Sequence, residues 1–278
     1  MNKLSYYVEK FHPDIAPEFT SPAEEFALLS VDGVVLEGVR LRGVGEVQFL
    51  VVHGLTANMR SPGIRQFIEA FAEFGDVWAI DLRGHGLSGG ACTLGVMEAE
   101  DVAVASRHIR ETTGRPPIVI GLSMGAASAV RAAALIEPVK GIVSIGGPAR
   151  WDGPRGRGAK RMKLVWEIPG GTTLIHLLTG VRIDPIFTDC DEPAAVIPKI
   201  SPAPVLVVHG DADEFFPLEE AIDLYDCALD PKDLWVVPGG GHAEGLFMVP
   251  GREVDRSAVS AFAGQIWRRV QALLIADS

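Results

Sequence analysis

Cysteine is scarce in this chain of 278 residues, and Cys92, Cys190 and Cys227 are odd in number and widely separated. That arrangement fits neither a disulfide framework nor a C-x-x-C metal or redox site, so the three read as small buried apolar residues. Long apolar runs are missing as well. No stretch approaches the ~18 uninterrupted apolar residues of a spanning helix, and the N-terminal Met1 to Tyr7 segment lacks the apolar centre of a signal peptide. A cytoplasmic protein without a membrane span is the expectation. Basic residues are outnumbered, 25 Lys and Arg against 36 Asp and Glu, for a formal charge of -11. Phosphate binding needs a dominant basic face, so nucleic acid is not an expected partner. Metal-ligand spacings and the G-x-x-x-x-G-K-[ST] phosphate loop are both lacking, and no metal or cofactor is implied. The glycine-rich residues 83–90 resemble a dinucleotide loop only weakly. Internal repeats and low-complexity segments are also lacking.

What is present is core material. Hydrophobic residues make up 47% and charged residues 22%, enough for a sizeable core in one large α/β domain carrying an insertion. Residues 1–25 are mixed and proline-bearing and read as an irregular arm. Residues 26–30 and 34–41 read as strands joined at Asp32-Gly33, a hairpin turn dipeptide. Residues 47–52 form a continuous apolar run, suited to a strand buried on both faces. A helix starts at Ser61-Pro62, a capping residue followed by proline at the first helical position, and runs to Phe74. The strand at 77–80 leads into the glycine-rich loop, and a helical pattern covers 97–112. Strands at 117–120, 141–145, 205–208 and 234–237 alternate with helices at 126–136, 218–229 and 257–275. Such alternation implies right-handed crossovers and a mostly parallel sheet of about eight strands flanked by helices.

The chemistry centres on Gly121-Leu122-Ser123-Met124-Gly125. A strand that turns directly into a helix brings two backbones so close that side chains flanking the turn would collide, and Gly121 and Gly125 remove those clashes. The turn holds Ser123 in a strained conformation with its hydroxyl above the sheet, beside the first N–H groups of the helix. The short G-x-S-x-G pattern arises by chance in glycine-rich chains. Here, however, a β-branched run precedes it and an alanine-rich helix follows, which is the context a nucleophile elbow requires.

A serine nucleophile needs a base. In an open α/β sheet the reactive groups collect at the carboxyl ends of the strands, which singles out His53, His209 and His242. His53 and His209 each precede a glycine at a strand end and read as structural. His242 lies in Pro238-Gly239-Gly240-Gly241-His242, a loop able to carry an imidazole over the sheet. An orienting acid is expected between serine and histidine in sequence, and the loop after Val208 offers Asp211, Asp213 and Glu214. Each of these residue types also serves as a turn or helix-start residue in loops.

From Phe26 to the C-terminus the chain resembles α/β-hydrolases of the serine esterase and lipase type, with a pattern similar to monoacylglycerol-lipase-like members. The matching stretches are His53-Gly54-Leu55, the D-x-x-G-H-G-x-S loop of residues 81–88, the elbow, the H-G-x-x-D-x-x-x-P loop and the final G-H loop. The resemblance implies the α/β-hydrolase fold, with Ser123 as nucleophile, Asp213 as acid, Asp211 as turn residue and His242 as base. It further implies an oxyanion hole made by the backbone N–H groups of Leu55 and Met124. Leu122 and Ala126 stand where many relatives carry histidine and glycine. A serine at the elbow separates the chain from haloalkane dehalogenases, which carry aspartate there.

Residues 150–201 interrupt the alternation where such enzymes carry a cap, leaving 1–149 and 202–278 as the core. The insertion opens with Arg150, Arg155, Arg157, Lys160, Arg161 and Lys163, a run suited to a solvated face or an anionic substrate. Its apolar residues, among them Leu164, Trp166 and Leu177, suit either an acyl pocket or packing of the cap on the core. The expected activity is hydrolysis of a small-molecule carboxylic ester through an acyl-enzyme. The same residues serve a thioester, amide, lactone or carbon–carbon bond, and a non-catalytic ligand receptor is the alternative from another class.

Overall fold

The computed structural model describes residues 3–11, 16, 18–150, 156–157, 160, 168–184 and 190–276. Its centre is an eight-stranded sheet in the order β1-β2-β4-β3-β5-β6-β7-β8. The strands are β1 (Ala23–Leu29), β2 (Val35–Leu41), β3 (Gln48–Val52), β4 (Asp76–Ile80), β5 (Ile118–Leu122), β6 (Gly141–Ile145), β7 (Val205–Gly210) and β8 (Lys232–Val237). The hairpin of β1 and β2 pairs antiparallel and joins β4 antiparallel, while every pairing from β4 to β8 is parallel. Consecutive antiparallel strands such as β1 and β2 need only a tight turn, here at Gly33 with φ 82°. Parallel ones need helical crossovers.

Alternation along the central strands builds two cores. Leu50 and Val52 of β3 face one side with Val119, Ile142 and Val207, whereas Phe49 and Val51 face the other with Ile118, Ile120 and Leu206. The first side is covered by α3 (Glu98–Thr113), α4 (Met124–Leu135) and the helix Leu218–Cys227. On the second side lie α2 (Pro62–Phe71) and the long C-terminal helix Arg256–Ala276. A strand covered on both faces has no polar face to display. This is the physical origin of the apolar runs in the sequence.

The first 25 residues differ from the expected irregular arm. Lys3–Phe11 is a helix, α1, and residues 23–25 belong to β1. A nine-residue helix is marginal alone, and this one is held by tertiary contacts. Tyr6 is fully buried, and the Lys10 carbonyl accepts hydrogen bonds from Asn58 Nδ2 at 2.8 Å and Ser61 Oγ at 3.2 Å.

In the β6–β7 connection the described residues form α5 (Gly171–Thr179), a short helix α6 (Pro193–Val196) and a 3-10 turn (Ile197–Ile200). The helices Leu218–Cys227 and Arg256–Ala276 are α7 and α8. The α6 stretch and the turn after it pack on α4. Where the connection returns to the sheet domain, Cys92 N–H donates to the Arg182 carbonyl at 2.7 Å and Asp184 N–H to the Cys92 carbonyl at 2.8 Å. Among the described residues, no helix is long and apolar enough to cross a membrane.

Candidate active site

Ser123 stands between the end of β5 and the start of α4 with φ 54° and ψ −119°. A residue bearing a Cβ does not adopt this conformation without support. The glycine frame supplies it. A Cβ on Gly121 would lie 2.5 Å from Ala126 Cα, and one on Gly125 would lie 2.4 Å from the His53 carbonyl oxygen. Neither position tolerates a side chain, so strand, turn and helix close tightly and the Ser123 hydroxyl projects from the carboxyl edge of the sheet.

The loops after β7 and β8 meet that hydroxyl. His242 Nε2 lies 2.8 Å from Ser123 Oγ, and His242 Nδ1 lies 2.7 Å from Asp213 Oδ2. With Nδ1–H donating to the carboxylate, Nε2 is left as acceptor for the serine proton. The Asp213 carboxylate is buried, with the side chain 1% exposed, and its other oxygen is occupied. Oδ1 accepts the backbone N–H groups of Phe215 at 2.7 Å and Phe216 at 3.0 Å. Both phenyl rings border the imidazole, with centroids 4.7 and 5.4 Å away. Phe215 and Phe216 are specified by no motif in the sequence, and the only local signal for them is that the pair directly follows the acidic cluster.

Asp211 does something else. Its Oδ1 accepts the Gly239 N–H at 2.6 Å, which ties the loop after β7 to the loop after β8 at an exposed position. The two loops also touch through backbone, with Ala212 N–H donating to the Gly240 carbonyl at 3.0 Å.

The other two strand-end histidines, His53 and His209, serve the frame. His53 is buried, its Nδ1 sits 2.8 Å from the Gly54 carbonyl, and its Nε2 accepts the Leu82 N–H at 3.0 Å. Burial lowers its pKa to about 4, so the ring is neutral with Nδ1–H donating. His209 Nε2 lies 3.0 Å from the Phe216 carbonyl oxygen, to which it donates, and 3.6 Å from Asp213 Oδ2. Asp81 joins the loops after β3 and β4, because its carboxylate accepts the N–H groups of Met59 at 2.8 Å and Leu87 at 3.0 Å. Burial raises its pKa to about 6.

The loop after β3 runs directly past the serine, and a Cβ on Gly54 would lie 3.0 Å from Ser123 Cβ. The next N–H is that of Leu55. Met124 contributes the first N–H of α4, for which the helix has no internal acceptor. Behind Met124, the Cys92 thiol lies 3.7 Å from its sulfur.

Of the apolar residues considered for a pocket, Leu164 and Trp166 lie outside the described residues, as do Arg155, Arg161 and Lys163 of the basic run. Leu177 is 73% exposed on α5, and it is Ile175 of that helix, 8% exposed, that packs in a cluster with Met124, Cys92 and Val181. Arg150 pairs with Asp223 on α7 at 3.2 Å. Gly156 N–H donates to the Phe215 carbonyl at 3.0 Å, linking the β6–β7 connection to the loop that carries Asp213.

Comparison with known proteins agrees with this architecture. The Bacillus subtilis protein YqkD is 28% identical over 225 residues, which cover 77% of this chain and 70% of that protein. The esterase Pf2001 of Pyrococcus furiosus superposes with a TM-score of 0.71 at 20% identity, covering 92% of this chain and 94% of that one. XC6422 from Xanthomonas campestris, described as an α/β serine hydrolase without a lid, superposes at 0.60 with 20% identity, covering 92% and 97%. The model of the alpha/beta hydrolase family matches residues 49–256. The β-sheet order, the elbow and this match together place the chain in the alpha/beta hydrolase family.

Proposed function

We propose that this protein is a serine hydrolase cleaving carboxylic esters through an acyl-enzyme, with Ser123 as nucleophile, His242 as general base and Asp213 as the orienting acid. The observation that carries the proposal is the unbroken hydrogen-bond chain from Ser123 Oγ to His242 to Asp213, at 2.8 and 2.7 Å. Ser123 Oγ attacks the ester carbonyl carbon as its proton passes to His242 Nε2, and the buried Asp213 stabilises the imidazolium that forms. The negative charge collects on the former carbonyl oxygen. The N–H groups of Leu55 and Met124 receive it, and losing one such donor typically raises the barrier by about 3 to 4 kcal/mol. Collapse of the intermediate expels the alcohol, which takes its proton from His242. Water then attacks the acyl-enzyme with His242 again as base, releasing the acid and restoring Ser123.

Residues 150–201 act as a cap in this reading, with Trp166 and Leu164 as its candidate acyl contacts, whereas Leu177 turns outward. Ester chemistry is favoured by the likeness to a named esterase. The test is turnover on matched ester, thioester, amide and diketone substrates, by the parent protein and Ser123→Ala. Ester cleavage that Ser123→Ala abolishes is expected. A preference for another bond, or activity surviving the substitution, contradicts the proposal. Each added acyl methylene buried in a cap pocket is worth about 0.8 kcal/mol, or about fourfold in kcat/KM, and Trp166→Ala should flatten that rise while sparing acetate esters.

A further inference from the structure

Two loops of the site contain backbone that no local rule favours. Thr56, after the oxyanion loop's Gly54-Leu55, adopts φ 62°, and Ala243, directly after His242, adopts φ 43°. A residue with a Cβ stays in the left-handed region only where its surroundings over-determine it. The same element reaches both loops, and it lies before the matched family region of residues 49–256. This element is α1.

At the oxyanion loop, Asn58 and Ser61 both bind the Lys10 carbonyl at the C-terminal end of α1. Asn58 is further fixed within the loop, its N–H donating to Ser61 Oγ at 3.0 Å and its Oδ1 accepting the Arg60 N–H at 2.9 Å. At the base loop, Glu244 is 8% exposed and lies two residues after His242. Its carboxylate accepts the Tyr6 hydroxyl at 3.3 Å and pairs with Lys10 Nζ at 3.5 Å. Tyr6 is fully buried, and burial with the Glu244 carboxylate pushes the phenol pKa up, so the hydroxyl stays a donor. A carboxylate this well covered is retained only with partners, and both partners named here come from α1.

We infer that α1 is a positioning element for catalysis: through Tyr6, Lys10 and Glu244 on one side and Asn58 and Ser61 on the other, it holds the base loop and the oxyanion loop in their strained, mutually aligned conformations. None of these side chains hydrogen-bonds to Ser123, His242 or Asp213, whose side-chain partners are one another, His209 and the Phe215 and Phe216 N–H groups. Their effect reaches the reaction through the placement of His242 and of the Leu55 N–H, so their loss lowers kcat rather than ground-state binding. The inference rests on His242 being the base and predicts a dependence of turnover on side chains that make no hydrogen bond to the triad.

The experiment measures kcat and KM on a short-chain chromogenic ester for the full-length parent, Glu244→Ala, Glu244→Gln, Tyr6→Phe and His242→Ala, with melting temperature and far-UV circular dichroism as folding checks. Glu244→Ala removes an acceptor for a hydroxyl and an ammonium, and kcat should fall about tenfold with KM within about twofold. Glu244→Gln still accepts the Tyr6 hydroxyl and should recover most of that loss, while Tyr6→Phe should lower kcat about threefold. The strain gives a sharper check. In an Ala243→Gly background the left-handed conformation is free, so adding Glu244→Ala should lower kcat by less than about threefold. If Glu244→Ala and Tyr6→Phe keep parental kcat and lose only melting temperature, or if only KM moves, α1 is merely structural and the inference is wrong. Should Glu244→Ala not fold, Tyr6→Phe, which deletes one oxygen, decides by the same kcat criterion. The His242→Ala control separates the two levels: parental activity there overturns the base assignment, whereas an inactive control beside unaffected Tyr6→Phe and Glu244→Ala overturns only the role of α1.

Discussion

Replacing Asp213 with asparagine tests the orientation of the imidazole with little disturbance to the loop. Asp213 Oδ1 accepts two backbone N–H groups, from Phe215 and Phe216, and the asparagine oxygen can keep both. The amide nitrogen then takes the place of Oδ2, which faces His242 Nδ1 at 2.7 Å. Two donors cannot share that contact. His242 must present Nδ1 as acceptor, which moves its proton to Nε2 and leaves no lone pair for the serine proton. The equivalent change in a serine protease lowers kcat by about 10⁴-fold, and a loss of that order is expected here with the protein folded. Asp211→Asn is the matched control. Its oxygen can still accept the Gly239 N–H, now 2.6 Å away, so turnover should stay within about threefold, as expected for an exposed site away from the chemistry. The assay is initial-rate hydrolysis of a chromogenic acetate ester, with circular dichroism to establish folding. A folded Asp213→Asn with near-parental kcat, or a larger loss in Asp211→Asn, would refute the reasoning.

His209 offers a second test through its single donated hydrogen bond. Glutamine places a donor near the ring's Nε2 and should retain the Phe216 contact and most activity, whereas asparagine reaches only the Nδ1 position and should lower kcat about tenfold; equal losses in the two variants would contradict this role. Stability should fall as pH drops from 6.5 toward 4. The pKa values of buried His53 and His85 are lowered from 6.5 to about 4 and about 3, so the unfolded chain binds those protons first and folding is penalised below pH 6.5. Asp81 acts in the opposite sense, since a pKa raised from 3.8 to about 6 lets the folded state gain a proton across that window. Two histidines outweigh one aspartate, and His85→Asn, which can still donate to the Arg83 carbonyl, should flatten the fall in melting temperature between pH 6.5 and 4. An unchanged slope would show that His85 does not contribute.

The parts of the molecule that were legible in the sequence are those governed by local sterics. Gly121 and Gly125 announce the elbow because any Cβ there meets backbone within 2.5 Å, and β3 through β7 announce themselves because both faces are covered. Asp213 and Asp211 were distinguished only by family resemblance, since two aspartates in one loop look alike until one is seen buried against an imidazole. The helical α1 was not legible. Its Tyr6 is held by Glu244, 238 residues away in sequence, and no local pattern encodes so distant a contact. The same holds for Ile175 and Leu177 on α5, where a run of apolar residues does not say which one turns inward.

Trapping of the acyl-enzyme is the measurement closest to the central claim. The protein is mixed with a slowly deacylating activated ester, quenched in acid, and analysed by intact mass and peptide mapping. The account predicts a gain of one acyl group, located on the peptide containing Ser123, absent in Ser123→Ala and strongly reduced in His242→Ala. An acyl group found on another residue, or ester turnover that persists unchanged in Ser123→Ala, would contradict it.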